Sequence, residues 1–175
     1  MSQSRTLTVS PERAALRREL VASIVTGQIA GLIMAVVVMA VFTIFLGTGP
    51  LFPVQVIGSF IFGEAATTGF HLPALVAGLI LHQGAAFAWS LVFSAANQLA
   101  PRGLAGAAVA GLIVGVASQV VDVNLIMPIA MKALHGQDLW ARYVPAFWSW
   151  AAHVVFGLGF AVYPAVAARL GARRS

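Results

Sequence analysis

The run PALVAGLILHQGAAFAWSLVFSAA, residues 73–96, decides the fold. It contains no Lys, Arg, Asp or Glu, and it exceeds the about 20 helical residues needed to cross a ~30 Å hydrocarbon layer. Its one ionisable side chain is His82. A second run, residues 145–168, also opens on a proline and carries His153 at nearly the same distance from it. Two further apolar runs, residues 21–46 and 104–131, complete a set of four spans. The expected fold is all-α: a polytopic membrane protein with four transmembrane helices in a bundle.

Composition supports that class. The chain is 60% hydrophobic and 9% charged, where a soluble domain carries about 25% charged residues, and its mean hydropathy is +0.93. The net charge of +5 would suggest a nucleic-acid partner in a soluble protein. Here the basic residues sit at the ends of the apolar runs, so the partner they imply is the lipid headgroup layer, and no nucleic acid is needed. The absence of cysteine excludes disulfides, thiolate metal sites and covalently attached haem, which leaves His and carboxylate as ligands.

Taken in order, residues 1–9 are polar and expected to be disordered. Ser10-Pro11-Glu12 then reads as a helix start: a capping hydroxyl, a proline whose missing N–H costs nothing there, and an acid in the first turn. Residues 1–20 form a cytoplasmic tail and a basic amphipathic helix start, with Arg13, Arg17 and Arg18 among anionic headgroups. The apolar core that follows is longer than the h-region of a cleavable signal, so the first helix is expected to be retained. Residues 54–62 are too apolar for a water-exposed loop and too short to span, which makes them an interfacial or re-entrant segment between the first two helices. Residues 132–143 return to water, and residues 171–175 are a basic tail.

Orientation follows from positive charge. Eight of the ten Lys and Arg residues (Arg5, Arg13, Arg17, Arg18, Arg102, Arg169, Arg173 and Arg174) fall on one side, and Lys132 and Arg142 on the other. By the positive-inside rule both termini are cytoplasmic, in a bacterial inner membrane. Trp140, Tyr143, Phe147, Trp148 and Trp150 suit an aromatic belt at the outer face. The chain also carries marks of two duplicated helical hairpins: Ala30-Gly31-Leu32-Ile33 recurs as Ala110-Gly111-Leu112-Ile113, and the Pro73/His82 spacing recurs at Pro145/His153.

The candidate site is a cluster of His82, His153 and Asp122, with Gln119 and Gln83 in support. On an ideal α-helix Asp122 shares a face with Ser118, Gly115 and Gly111, a small-residue face suited to close helix packing rather than to lipid. A charge turned to lipid would cost about 2.5–3.5 kcal/mol on the most lenient scale. Counted at ~1.5 Å per residue, all three groups lie roughly 9–14 Å below the outer boundary. Two histidines at one depth could ligate a b-type haem, and with a carboxylate they could hold Zn or Cu. A histidine and a carboxylate could instead bind a quinone or relay protons, or simply hydrogen-bond each other and brace the bundle. Glu64, His71, His135 and Asp138 form a second candidate, an outer-face metal site whose alternative is ordinary solvated loops. Copper handling by Met34, Met39, Met127 and Met131 is the weaker reading of residues that also suit a core. Two glycine pairs, Gly27/Gly31 and Gly111/Gly115, read as internal packing motifs. No nucleophile triad, phosphate loop or acid–base carboxylate pair is present.

The Ala/Gly-rich spans, a histidine in the second, a proline near the end of the third and His153-Val154-Val155-Phe156-Gly157 in the last are similar to small four-helix bacterial membrane proteins of uncharacterised function. The resemblance implies a fold and brings no catalytic residue with it. Three functions follow from the sequence. The first is a non-catalytic subunit or assembly factor of a larger membrane complex, covering a membrane-protein partner or a second copy with residues 54–62. The second is a haem- or metal-binding electron-transfer subunit. The third is a small transporter or a proton- or quinone-handling protein.

Overall fold

The structure, a computed structural model, describes residues 10–171. The polar stretch 1–9 and residues 172–175, with Arg5, Arg173 and Arg174, lie outside the described residues. Within them every regular element is helical: α1 (Pro11–Phe45), α2 (Phe52–Phe62), α3 (Leu72–Leu99), α4 (Leu104–Ser118), α5 (Met127–His135), α6 (Leu139–Tyr143), α7 (Ala146–Gly159) and α8 (Tyr163–Arg169). A π-helical segment, Gln119–Ile126, joins α4 to α5, and two 3₁₀ segments complete the set, Gly63–Thr67 directly after α2 and Phe160–Val162 between α7 and α8. Four stretches are long and apolar enough to cross a membrane: Pro11–Phe45, Leu72–Leu99, Leu104–His135 and Ala146–Arg169. They mark the chain as a membrane protein.

The helix ends follow local chemistry. Ser10 caps α1, its Oγ accepting from the Arg13 N–H at 3.4 Å, and the basic start and first span form one continuous helix. The third stretch runs four residues beyond the expected end at Met131. It stops where Gly136 adopts φ 72°, and its N–H bonds the Lys132 carbonyl. Asp138 then caps α6 by accepting from the Ala141 N–H at 3.0 Å.

Small residues bring the long helices together. α1 packs on α3 and α7, and α4 packs on α7 and α3. Gly27 and Gly31 admit Ser90 and Ala86 of α3, while Gly111 and Gly115 lie against the backbone of Gly157 and His153 in α7. Both glycine pairs are thus used inside the chain. The interior near the α8 end is aromatic, with Phe93 stacked on Phe160 at 4.2 Å and edge-on to Tyr163.

The apolar segment between the first two spans is a helix, α2, lying antiparallel on the first two turns of α3. Gly58 meets the backbone of Ala74, and Gly78 meets that of Val54. Gln55 ties the return of the chain, donating from Nε2 to the Gly69 carbonyl at 3.0 Å and accepting from the His71 N–H at 2.6 Å. The two longer connections meet at this same end, where Glu64 pairs with Arg142 at 2.9 Å and Thr67 bonds the Tyr143 hydroxyl at 3.3 Å.

Candidate functional site: a polar-lipped apolar cavity

Each polar group reaches the site by a different route. His82 stands ten residues into α3, about 15 Å along the helix, and its Nε2 is 2.9 Å from the Gly31 carbonyl of α1. His153 is buried in α7, with Nδ1 2.9 Å from the carbonyl of Ser149 one turn back. Asp122 belongs to the π-helical segment and accepts from the Trp89 indole N–H of α3 at 2.6 Å.

The π-helical turn explains the aim of Asp122. Pro128 follows immediately, and its ring would clash with the carbonyl four residues back in an α-helix. The helix widens upstream, so that the Met127 N–H bonds the Asp122 carbonyl five residues back. Side chains beyond Ser118 therefore lag their α-helical positions. Gly111 and Gly115 face α7, whereas Asp122 turns toward α3, off the face expected for it.

All three residues line one cavity of about 240 Å³. Its walls are otherwise apolar: Met34 of α1, Ile57 and Phe60 of α2, Ala85 of α3, and Met127. A smaller adjoining cavity of about 40 Å³ is lined by the same three groups with Trp89, Ser118 and Phe156. The three polar groups nevertheless do not bond one another, and among the described residues no three of His, Asp and Glu close on a point that could hold a metal ion.

Tautomers follow from the partners. A carbonyl can only accept, so a neutral His82 carries its proton on Nε2 and leaves Nδ1 bare, while a neutral His153 carries its proton on Nδ1 and leaves Nε2 bare. The two histidines are mirror cases. Other donors at the site are spent: Trp89 on Asp122, and Ser118 Oγ on the Gly115 carbonyl at 2.9 Å. The Trp140 indole nitrogen, on the cavity wall, is sealed inside the protein with no acceptor. With Asp122 ionised, the bare imidazole nitrogens and the carboxylate make a cavity that accepts hydrogen bonds and offers none.

His153 is oriented as a metal-bound imidazole would be, its Nδ1–H held by the Ser149 carbonyl and Nε2 left bare. His82 would have to bind a metal or haem iron through Nδ1.

Gln119 stands apart from this cavity. It is buried, accepts from Ser149 Oγ at 2.9 Å and donates to Asn124 Oδ1 at 2.9 Å. It lines a neighbouring cavity of about 330 Å³ with Asp138 and Trp140. Gln83 pairs instead with Gln28, at 3.2 Å. The outer-face candidates are each engaged separately: Glu64 with Arg142, His71 as the cap accepting from the Ala74 N–H, His135 at 3.0 Å from the Phe60 carbonyl, and Asp138 as the α6 cap. Trp89 was the residue missed, although it lies two turns beyond His82 on one face of α3.

No protein-family model, curated protein or solved structure matches the chain.

Proposed function

We propose that the protein is a small, non-enzymatic integral protein of the bacterial inner membrane, its four spans forming a bundle with both termini cytoplasmic. Its working site is the cavity of His82, Asp122 and His153, which binds a small organic ligand. One observation carries this reading: three acceptors from three helical stretches open on one apolar cavity without bonding each other. A bracing cluster would join imidazole to carboxylate, and here each is bonded elsewhere. A metal site would close on one point, whereas this cavity needs an occupant large enough to reach separated groups. The orientation rests on the charge asymmetry, and α1 begins at the same end as the Arg102 turn and Arg169.

The expectation of an accessory subunit drew on small size and on the lack of a soluble domain, and named residues 54–62 as the surface to cover a partner. α2 lays much of that surface, including Val54, Val56, Gly58 and Ser59, on its own chain. The cavity is the stronger lead. Trp89 and Trp140 flank it, so occupancy should change tryptophan fluorescence. In nanodiscs, a panel of small apolar molecules bearing hydrogen-bond donors should contain members that give a saturable change, and Ala85→Phe, which fills the wall, should abolish it. A response that is linear in every case and equal in the variant would refute the site.

A further inference from the structure

Asp122 has a hydrogen bond and no ion-pair partner in its cavity. No Lys or Arg lines either of the two adjoining spaces. The groups facing it are His82 of α3 and His153 of α7, the only other titratable ones, together with Trp89. The remaining walls offer Met34 from α1, Ile57 and Phe60 from α2 and Trp140 from α6. A carboxylate at such a place is compensated by a proton or by a cation, because an isolated charge among apolar groups costs several kcal/mol.

We propose that the cavity takes an amphiphilic organic ammonium ion, and that the ion enters in exchange for a proton held by Asp122. The inference rests on reading the cavity as a ligand site and specifies the ligand. Three features select an N–H cation over a neutral donor such as a quinol or an alcohol. Once Asp122 has given up its proton the lining offers acceptors alone, so the ammonium group at Asp122 meets no competing donor, and His82 Nδ1 and His153 Nε2 are the further acceptors of the same lining. The carboxylate supplies the opposite charge. Phe60 and Trp140 on the cavity wall, with Trp89 and Phe156 in the adjoining space, supply aromatic surface, which attracts a cation within about 6 Å of a ring centre. The separation of the three groups argues against a bare metal ion, and the 240 Å³ volume lies just under the ~300–1,000 Å³ of most small-molecule sites, which suits a single ring or a short chain. The exchange balances: the protonated carboxyl and a free ammonium become a carboxylate–ammonium pair and one released proton.

The test uses the full chain in phosphatidylcholine nanodiscs, with benzylammonium as the probe and benzyl alcohol as its neutral counterpart. Tryptophan fluorescence reports binding, and an indicator dye in weak buffer reports protons. Benzylammonium should saturate the site with release of one proton, and its affinity should rise about tenfold per pH unit while Asp122 still holds its proton. Asp122→Asn, which keeps an oxygen for Trp89 and so should keep the fold, should lose both the binding and the release. Benzyl alcohol binding as tightly with no proton release would overturn the ammonium assignment and leave the cavity as a ligand site. Benzylammonium binding without release, or undiminished in Asp122→Asn, would overturn the exchange. Absence of saturable binding by any probe, the wider panel included, would overturn both readings.

Discussion

Substituting Gly78 by alanine should unseat α2 from α3 and loosen the cavity wall formed by Ile57 and Phe60. A Cβ at Gly78 would overlap the Val54 carbonyl and stand 3.0 Å from the Gly58 nitrogen. A Cβ at Gly58 would stand 2.8 Å from the Ala74 Cα and overlap the Ala74 carbonyl. Carbon contacts settle near ~3.5–4.0 Å, so relief of the carbonyl overlap in either substitution pushes the two backbones apart by roughly 1.5 Å. Backbone cannot rotate away as a side chain tip can. Overpacking of this kind costs about 1–3 kcal/mol, and for a chain of this length each kcal/mol lowers the melting temperature by roughly 2–4 °C on the scale of soluble domains. Gly78→Ala should therefore melt about 2–12 °C below the parent in detergent. Gly84, on the same helix with no atom within 4 Å of an added Cβ, is the control. Gly84→Ala should be neutral or stabilising, because alanine is the better helix former by about 1 kcal/mol. The double variant Gly58→Ala/Gly78→Ala should cost less than the sum of its parts, since one displacement relieves both clashes. If Gly78→Ala melts no lower than Gly84→Ala, the close seating of α2 is wrong.

Phe93→Ala removes a fully buried ring stacked on Phe160 and should cost about 3–5 kcal/mol, read as a lowered melting temperature. Arg142→Ala breaks an ion pair whose side chains are both about half exposed. It should cost less than about 1 kcal/mol, and the difference from the parent should shrink in high salt. His82→Leu removes a second donor to the Gly31 carbonyl, which keeps its own helical hydrogen bond, and should destabilise by about 0.5–1.5 kcal/mol, whereas His82→Gln, able to donate to the same oxygen, should recover part of the loss in the same melting assay.

The four spans were legible because lipid imposes a simple demand: every backbone polar group must be satisfied within its own helix over some twenty apolar residues. Ser10 as cap and the internal use of Gly27/Gly31 and Gly111/Gly115 were legible from local chemistry and small-residue spacing. That His82 and His153 come to one cavity was legible from helix counting. Asp122 reached the same cavity by a turn that counting at 3.6 residues could not supply, because the effect of Pro128 spreads upstream as a π-helical segment. That widening also swings Gln119 away from Asp122 and into the neighbouring cavity. The seat of α2 depends on two glycines, Gly58 and Gly78, that are far apart in sequence and meet only once the chain is folded. The histidine tautomers depend on which carbonyl each ring finds. For His82 that partner lies 51 residues away.

The most direct test of an acceptor-only cavity is the nitrogen spectrum of the protein with ¹⁵N-labelled histidine, in nanodiscs at pH 8.5, where imidazole is ordinarily neutral. His82 and His153 would be assigned by single His→Gln substitution. The structure requires opposite tautomers: a protonated Nε2 with a bare Nδ1 on His82, and a protonated Nδ1 with a bare Nε2 on His153. Addition of a bound ligand should shift the two bare nitrogens and leave the two protonated ones nearly unmoved. The same tautomer on both rings, or a ligand response confined to the protonated nitrogens, would contradict the cavity as described.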